Sequence, residues 1–146
     1  MRTVDIAKAF GVAIATLIIT IAASFPMVAF YSYFIEPGHP PEFYTDAAQW
    51  IAPWSSHILG PVCFLVFNFW LARRSPQRNG NCFAAATIGA YLVIELVLMA
   101  GLGQPLTSLF SVTFGLSFLA KIVGAFLGAY FGSVKSESRE VSTGAV

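Results

Sequence analysis

The sequence predicts an all-α membrane protein, a bundle of four transmembrane helices. Hydrophobic residues make up 57% of the 146-residue chain and charged residues only 10%, whereas soluble domains carry about 25% charged residues. Four separate stretches are also long and apolar enough to cross a bilayer, which takes about 20 residues. Composition and segment length therefore both indicate that lipid covers most of the protein surface.

The four predicted spans cover residues 9–34, 53–72, 82–102 and 106–131, within a single membrane domain at 1–132. Two basic residues precede the first span, as in a secretory signal peptide, but the apolar run is too long for the hydrophobic region of such a peptide. We therefore expect the first span to be retained as a helix. The polar, serine-containing segment 133–146 is predicted to be a disordered cytoplasmic tail.

Basic residues predict the orientation, because cytoplasmic loops of membrane proteins are enriched in Lys and Arg. The basic residues outside the spans lie in three segments. Arg2 and Lys8 precede the first span, Arg73, Arg74 and Arg78 lie between the second and third spans, and Lys135 and Arg139 follow the fourth. The segment between the first two spans has none. Both termini are therefore expected in the cytoplasm, and the short loops favour a bacterial inner membrane.

The external loop at 35–52 is predicted to carry a short helix in the outer membrane interface. After a start rich in Pro and Gly, the residues Phe43, Ala47, Trp50 and Trp54 recur at spacings of four, three and four. This spacing places them on one helical face. Trp side chains favour the headgroup region of the bilayer, which agrees with an interfacial helix.

The strongest functional signal is a pair of ionisable residues inside the predicted spans, Glu95 and Lys121. Each charge costs about 2.5–3.5 kcal/mol at that depth and usually faces a partner or a polar cavity. The third and fourth spans are joined by a tight loop, so they are expected to be antiparallel neighbours whose two side chains lean toward each other. The pair then serves either as an ion or proton relay or a substrate counter-ion site, or as a structural pair joined by a salt bridge or through water. Independent snorkelling toward the two interfaces is the third interpretation.

The fourth span carries two further patterns on one side of the helix. Thr113 and Ser117 precede Lys121 at spacings of four and form a predicted polar stripe. A glycine row follows at the same spacing, made of Gly124, Gly128 and Gly132. Small residues spaced by four let two helices approach closely. The row therefore predicts close packing, either inside the monomer or between copies of the chain.

Two prolines, Pro26 and Pro61, lie about eight residues from the outer ends of the first and second spans. Each removes one backbone hydrogen bond and tends to kink its helix. The two predicted kinks are at similar depth. They are either ordinary membrane-helix kinks or the walls of an outward-facing vestibule.

No metal, cofactor or disulfide is predicted. His39 and His57 are expected to be interfacial hydrogen-bonding residues, because no ligand spacing surrounds them. Cys63 in mid-membrane and Cys82 at the cytoplasmic edge are separated by about 15 Å of helix, too far for a disulfide. Asn68 is expected to form an interhelical hydrogen bond.

Two functions are consistent with these patterns. The first is a structural or accessory subunit, or an oligomeric scaffold, that packs through the glycine row within a homo-oligomer or a larger membrane complex. The alternative is a small ion- or proton-coupled transporter or channel that uses Glu95 and Lys121. An enzyme is not expected, since no phosphate-binding loop or nucleophile motif appears. A net charge of +1 gives no reason to expect a nucleic-acid partner.

Overall fold

The protein is all-helical in the residues that its computed structural model describes, with no strand among them. These are residues 3–75, 79–103 and 111–143 for the backbone, and 5–75, 79–103 and 111–134 for the side chains. The helices are α1 (Thr3–Phe30), continued by a π-helix at Tyr31–Ile35, then α2 (Pro41–Arg74), α3 (Gly80–Gly101) and α4 (Val112–Thr143). The four α-helices are long and apolar enough to cross a membrane, which confirms the predicted helical class and the number of spans.

Local sequence explains where several helices begin and end. Helix α2 starts at Pro41, because a proline at the first helical position has the required φ and needs no N–H partner. Helix α3 is capped by Asn79, whose side-chain oxygen accepts a hydrogen bond from the Cys82 N–H at 3.3 Å. The chain leaves α3 through Gly103, whose φ of +66° favours glycine.

All four helices extend beyond the predicted spans at one end or both, and α2 and α4 extend furthest. The residues expected to form a short interfacial helix are helical, but they are the first turns of α2 and not a separate element. Helix α4 continues through 133–143, the segment that composition assigns to a disordered tail. Once a helix is nucleated, each added residue gains a hydrogen bond without a new nucleation cost. Residues 144–146 lie outside the described part of the chain.

The four helices form a bundle in which α2 packs most extensively against α4 and also packs against α1. Helix α3 completes the bundle by contacting α1 and α4, whereas α2 and α3 meet only slightly. The spatial order is therefore α1, α2, α4, α3. The consecutive helices α3 and α4 are neighbours, as expected, and so are α1 and α2, but the largest interface joins α2 and α4, which are not consecutive.

The α2–α4 interface is parallel and in a constant register along the glycine row. The facing pairs are Pro61 with Gly124, Leu65 with Gly128, and Phe69 with Gly132. A Cβ added at Gly132 would lie 2.6 Å from the Phe69 carbonyl oxygen, and one at Gly128 would overlap the Leu65 carbonyl oxygen. The three glycines therefore let the backbones of α2 and α4 touch within one chain.

The side chains are distributed as expected for a protein whose solvent is lipid. The largest fully buried side chains are Tyr91, Phe64, Asn68, Thr16, Thr87 and Ser55, most of which carry a polar group. Large apolar side chains instead point outward, and Phe25 is 70% exposed. In water this arrangement would be unfavourable, whereas membrane helices direct polar groups to the bundle interior. With the four spans, it indicates a multi-pass membrane protein.

Buried hydroxyl and amide groups link the helices. The Ser55 hydroxyl donates to the Thr20 carbonyl oxygen at 2.8 Å and joins α2 to α1. The Thr87 hydroxyl is 3.3 Å from Asn68 Oδ1 and donates to it, joining α3 to α2. Asn68 also donates to the Phe64 carbonyl oxygen at 2.9 Å. The predicted interhelical role of Asn68 is thus present in the structure.

Candidate functional site

A group of polar and ionisable side chains lies between α2, α3 and α4, and we call it the polar cluster. Helix α2 contributes two consecutive residues, and α3 and α4 contribute two residues each, one turn apart. The members of the cluster are Ser56, His57, Tyr91, Glu95, Ser117 and Lys121. Three helices must therefore be in place before the cluster exists.

The α2–α4 side of the cluster contains a short hydrogen bond. His57 Nδ1 and Ser117 Oγ are 2.7 Å apart, and the imidazole tautomer sets which of them donates. Ser117 is one helical turn before Lys121, so these two side chains share a face of α4. His57 is also within electrostatic range of Lys121. An imidazole is thereby placed within electrostatic range of the buried amino group of Lys121.

Lys121 is only 2% exposed, and its surroundings explain how the bundle accommodates it. Its ammonium nitrogen lies 4.8 Å from the centre of the Tyr91 ring, a favourable cation–π distance. Its aliphatic stem passes over Gly60, where an added Cβ would come within 2.7 Å of the Lys121 Cε. Gly60 on α2 therefore makes room for the stem of a lysine on α4.

Glu95 brings a carboxylate into the cluster without a matching donor. Its Oε2 atom is buried and receives no hydrogen bond from any residue in the described parts of the chain. Glu95 interacts electrostatically with both Tyr91 and Lys121. Leaving a buried polar atom unsatisfied costs about 1–3 kcal/mol. Such an atom is a candidate point of binding for a proton or a cation.

The predicted salt bridge between Glu95 and Lys121 is open in the structure. No oxygen of Glu95 lies within 4.0 Å of Lys121 Nζ, although the two groups interact electrostatically. Lys121 contacts the ring of Tyr91 and not the carboxylate oxygens of Glu95. Tyr91 precedes Glu95 on α3 by one turn, or roughly 6 Å, so part of the separation lies along the helix axis. The two residues are thus brought together as neighbours but not as an ion pair.

The other predicted site residues divide between the cluster and the helix interfaces. Ser117 joins the cluster, whereas Thr113, one turn earlier, is exposed, so only the inner part of the predicted stripe lines the bundle interior. Pro61 faces Gly124 across the α2–α4 interface. Pro26 is exposed on α1 and borders a separate groove.

Two members of the cluster, Ser56 and Tyr91, were not expected from the sequence, and His57 was expected only as an interfacial hydrogen-bonding residue. Tyr91 is one turn from Glu95, and this i, i+4 spacing was a usable signal that an aromatic ring accompanies the charge. Ser56 and His57 gave no such signal, because serine and histidine are common near the ends of membrane spans. The hydroxyl groups of Ser56 and Tyr91 are 3.5 Å apart, so a long hydrogen bond connects α2 with α3.

The remaining titratable candidates lie away from the cluster. His39 Nε2 is 3.3 Å from Glu36 Oε2 in the loop between the π-helix and α2. Cys63 and Cys82 are free thiols on α2 and α3.

Comparison with protein-family models, with curated proteins and with solved structures finds no match for this chain.

Proposed function

We propose that this protein carries protons, alone or together with a small ion, across its membrane through the polar cluster. The observation that carries the proposal is the open arrangement of Glu95 and Lys121. A lysine that is 2% exposed and a glutamate with a buried, unsatisfied oxygen lie side by side without a salt bridge. Intramembrane ionisable residues in water-filled or polar surroundings commonly form proton and ion pathways.

A purely structural role accounts less well for this geometry. A structural pair recovers the cost of burying two charges only by close contact and satisfied hydrogen bonds. In this bundle the lysine rests on an aromatic ring, and the carboxylate oxygen has no donor among the described residues. The cluster also contains His57, a second group able to exchange a proton, which is hydrogen-bonded to Ser117 and interacts electrostatically with Lys121. We therefore assign Glu95 as the principal proton-binding residue and His57 as its counterpart on α2.

The glycine row supports this proposal over a scaffold that docks through α4. Gly124 and Gly128 are buried against the backbone of α2. A partner chain that used the row would have to displace α2. A role as an accessory subunit would therefore require another surface of the bundle.

We also propose the orientation with both termini in the cytoplasm and a location in the inner membrane. The basic residues support this orientation through their distribution along the sequence. The 34 residues of α2 give a length of about 51 Å, compared with about 30 Å for the hydrocarbon core. The excess of about 20 Å supports a position of the first turns of α2, which carry Trp50, in the outer interface.

Proton flux into liposomes tests the proposal. The purified protein is reconstituted, a potassium diffusion potential is imposed, and internal pH is followed with a dye. We expect flux above that of protein-free liposomes, and loss of that excess in Glu95→Gln. Glu42→Gln is the matched control, because Glu42 is an exposed glutamate in the first turn of α2. Thermal unfolding of each variant separates loss of flux from loss of fold.

Two results would contradict the proposal. One is a wild-type flux equal to the protein-free background. The other is a stability pattern in which Glu95→Gln and Lys121→Met each unfold the protein and the double variant restores it, since this identifies a structural pair. Normal folding of Glu95→Gln with lost flux supports the proton pathway.

A further inference from the structure

An apolar groove of about 730 Å³ lies between α1, the π-helix and the first half of α2, outside the polar cluster. Its volume is within the range of about 300–1,000 Å³ that is typical of sites for small organic ligands. One wall belongs to α1 and the π-helix, and the other belongs to α2. Principal lining residues are Pro26, Met27, Tyr31, Trp50, Trp54 and Ile58.

Aromatic rings dominate the open side of this groove. The rings of Tyr31 and Trp50 are 5.4 Å apart and nearly perpendicular, with an interplanar angle of 89°. They form a corner between the π-helix and α2. Trp50 and Trp54 are 53% and 55% exposed, so much of their ring surface remains free of protein contacts. Free faces of Trp and Tyr attract cations through the ring quadrupole.

The charges around the groove have one sign. No Lys or Arg occurs between Lys8 and Arg73 in the sequence, so this half of the bundle lacks permanent positive charge. Glu36 directly follows the π-helix, and Asp46 is one turn before Trp50 on α2. Both carboxylates are exposed. An apolar ligand with a positive charge therefore meets complementary surroundings, and one with a negative charge does not.

We propose that the groove binds a lipophilic organic cation, with the apolar body between α1 and α2 and the charge at the aromatic corner of Tyr31 and Trp50. Neutral acyl chains would satisfy the apolar walls but would gain nothing from the acidic residues. The combination of exposed Trp faces with the exposed carboxylate of Asp46, one turn before Trp50, selects a cation. This binding site is independent of the proposed proton pathway, and its test measures binding alone.

Binding of tetraphenylphosphonium to the purified full-length protein in detergent tests the site. Tetraphenylborate is the matched probe, because the two ions have nearly the same size and shape but opposite charge. We expect saturable binding of the cation and at least about tenfold weaker binding of the anion, after subtraction of binding to empty micelles. Trp50→Leu is expected to weaken cation binding about fivefold through loss of the cation–π contact.

Trp70→Leu is the control variant, since Trp70 is an exposed tryptophan near the other end of α2 and outside the groove. It is expected to bind the cation as the wild type does. Asp46→Asn should weaken cation binding about threefold. The difference in affinity between Asp46→Asn and the wild type should be smaller in 1 M salt. The binding result for Trp50→Leu is used only if this variant unfolds at the same temperature as the wild type. If it does not, Trp54→Leu replaces it in the binding experiment.

Equal affinity for the two ions would overturn the proposal and identify the groove as an unselective lipid-chain site. Equal effects of Trp50→Leu and Trp70→Leu would also overturn it, because the binding would then be elsewhere. Neither result bears on the proton flux of the reconstituted protein, so failure of the groove proposal is distinct from failure of the proton pathway.

Discussion

Replacement of Gly128 by alanine is predicted to separate the two most closely packed helices of the bundle. Gly128 on α4 faces the carbonyl oxygen of Leu65 on α2, and an added Cβ would overlap that oxygen and press on the Leu65 Cα at 3.0 Å. These are backbone atoms, so no side-chain rotation relieves the contact. The helices must move apart, or α4 must rotate.

The expected size of the effect follows from two opposing contributions. An alanine is better than a glycine in a helix by about 1 kcal/mol. Overpacking a tight interface costs about 1–3 kcal/mol, and contact with rigid backbone favours the upper end of that range. The net loss of unfolding free energy for Gly128→Ala is therefore about 2 kcal/mol. For a chain of this length, such a loss lowers Tm by roughly 4–8 °C.

Gly115→Ala is the matched control on the same helix. A Cβ added at Gly115 meets no atom within 4 Å, so only the gain in helix propensity remains. The assay is thermal unfolding of both variants and the wild type in one detergent, followed by size-exclusion chromatography. We expect Gly128→Ala to be less stable than the wild type and Gly115→Ala to be equal or slightly more stable.

Equal Tm values for Gly128→Ala and Gly115→Ala would refute the assignment of the glycine row to the α2–α4 interface. A loss of native mass in Gly128→Ala without a loss of stability would place the row between copies of the chain. The stability result therefore decides between packing inside the monomer and packing in an oligomer.

Two further predictions concern buried hydrogen bonding and orientation. Thr87→Val removes the donor to Asn68 Oδ1 and should lower stability by about 1 kcal/mol, whereas Thr113→Val at an exposed position should not; equal melting curves would contradict this. In Cys63→Ser, the exposed thiol of Cys82 should react with a membrane-impermeant maleimide in inverted inner-membrane vesicles but not in intact spheroplasts. Labelling in spheroplasts would reverse the proposed orientation.

The helices were predictable because transfer of a segment into lipid depends mainly on its own residues. Each span is a run of apolar side chains whose length alone shows that it can cross a bilayer. The ends were less predictable. Helix α2 includes residues 41–52 in addition to its predicted span, since continuing an existing helix is less costly than starting another. Pro53 removes only one hydrogen bond and does not end the helix.

The sequence predicted the two ionisable residues of the candidate site but not the side chains that surround them. Glu95 and Lys121 stand out because a charge in an apolar run is costly wherever the other helices lie. Their relation depends on axial register, and a difference of one turn leaves the predicted salt bridge open. His57 enters the site only because α2 lies beside α4, which places its ring 2.7 Å from Ser117.

The sequence by itself determined that this chain forms four apolar helices and that two ionisable residues lie within them. These properties follow from free energies of transfer that belong to single residues and short segments. Only the tertiary structure decided that α2 and α4 lie in contact, since that pairing depends on how glycine and carbonyl surfaces fit between helices far apart in sequence. That contact brings Gly60 and His57 to Lys121, and so it turns two separate charges into a polar cluster.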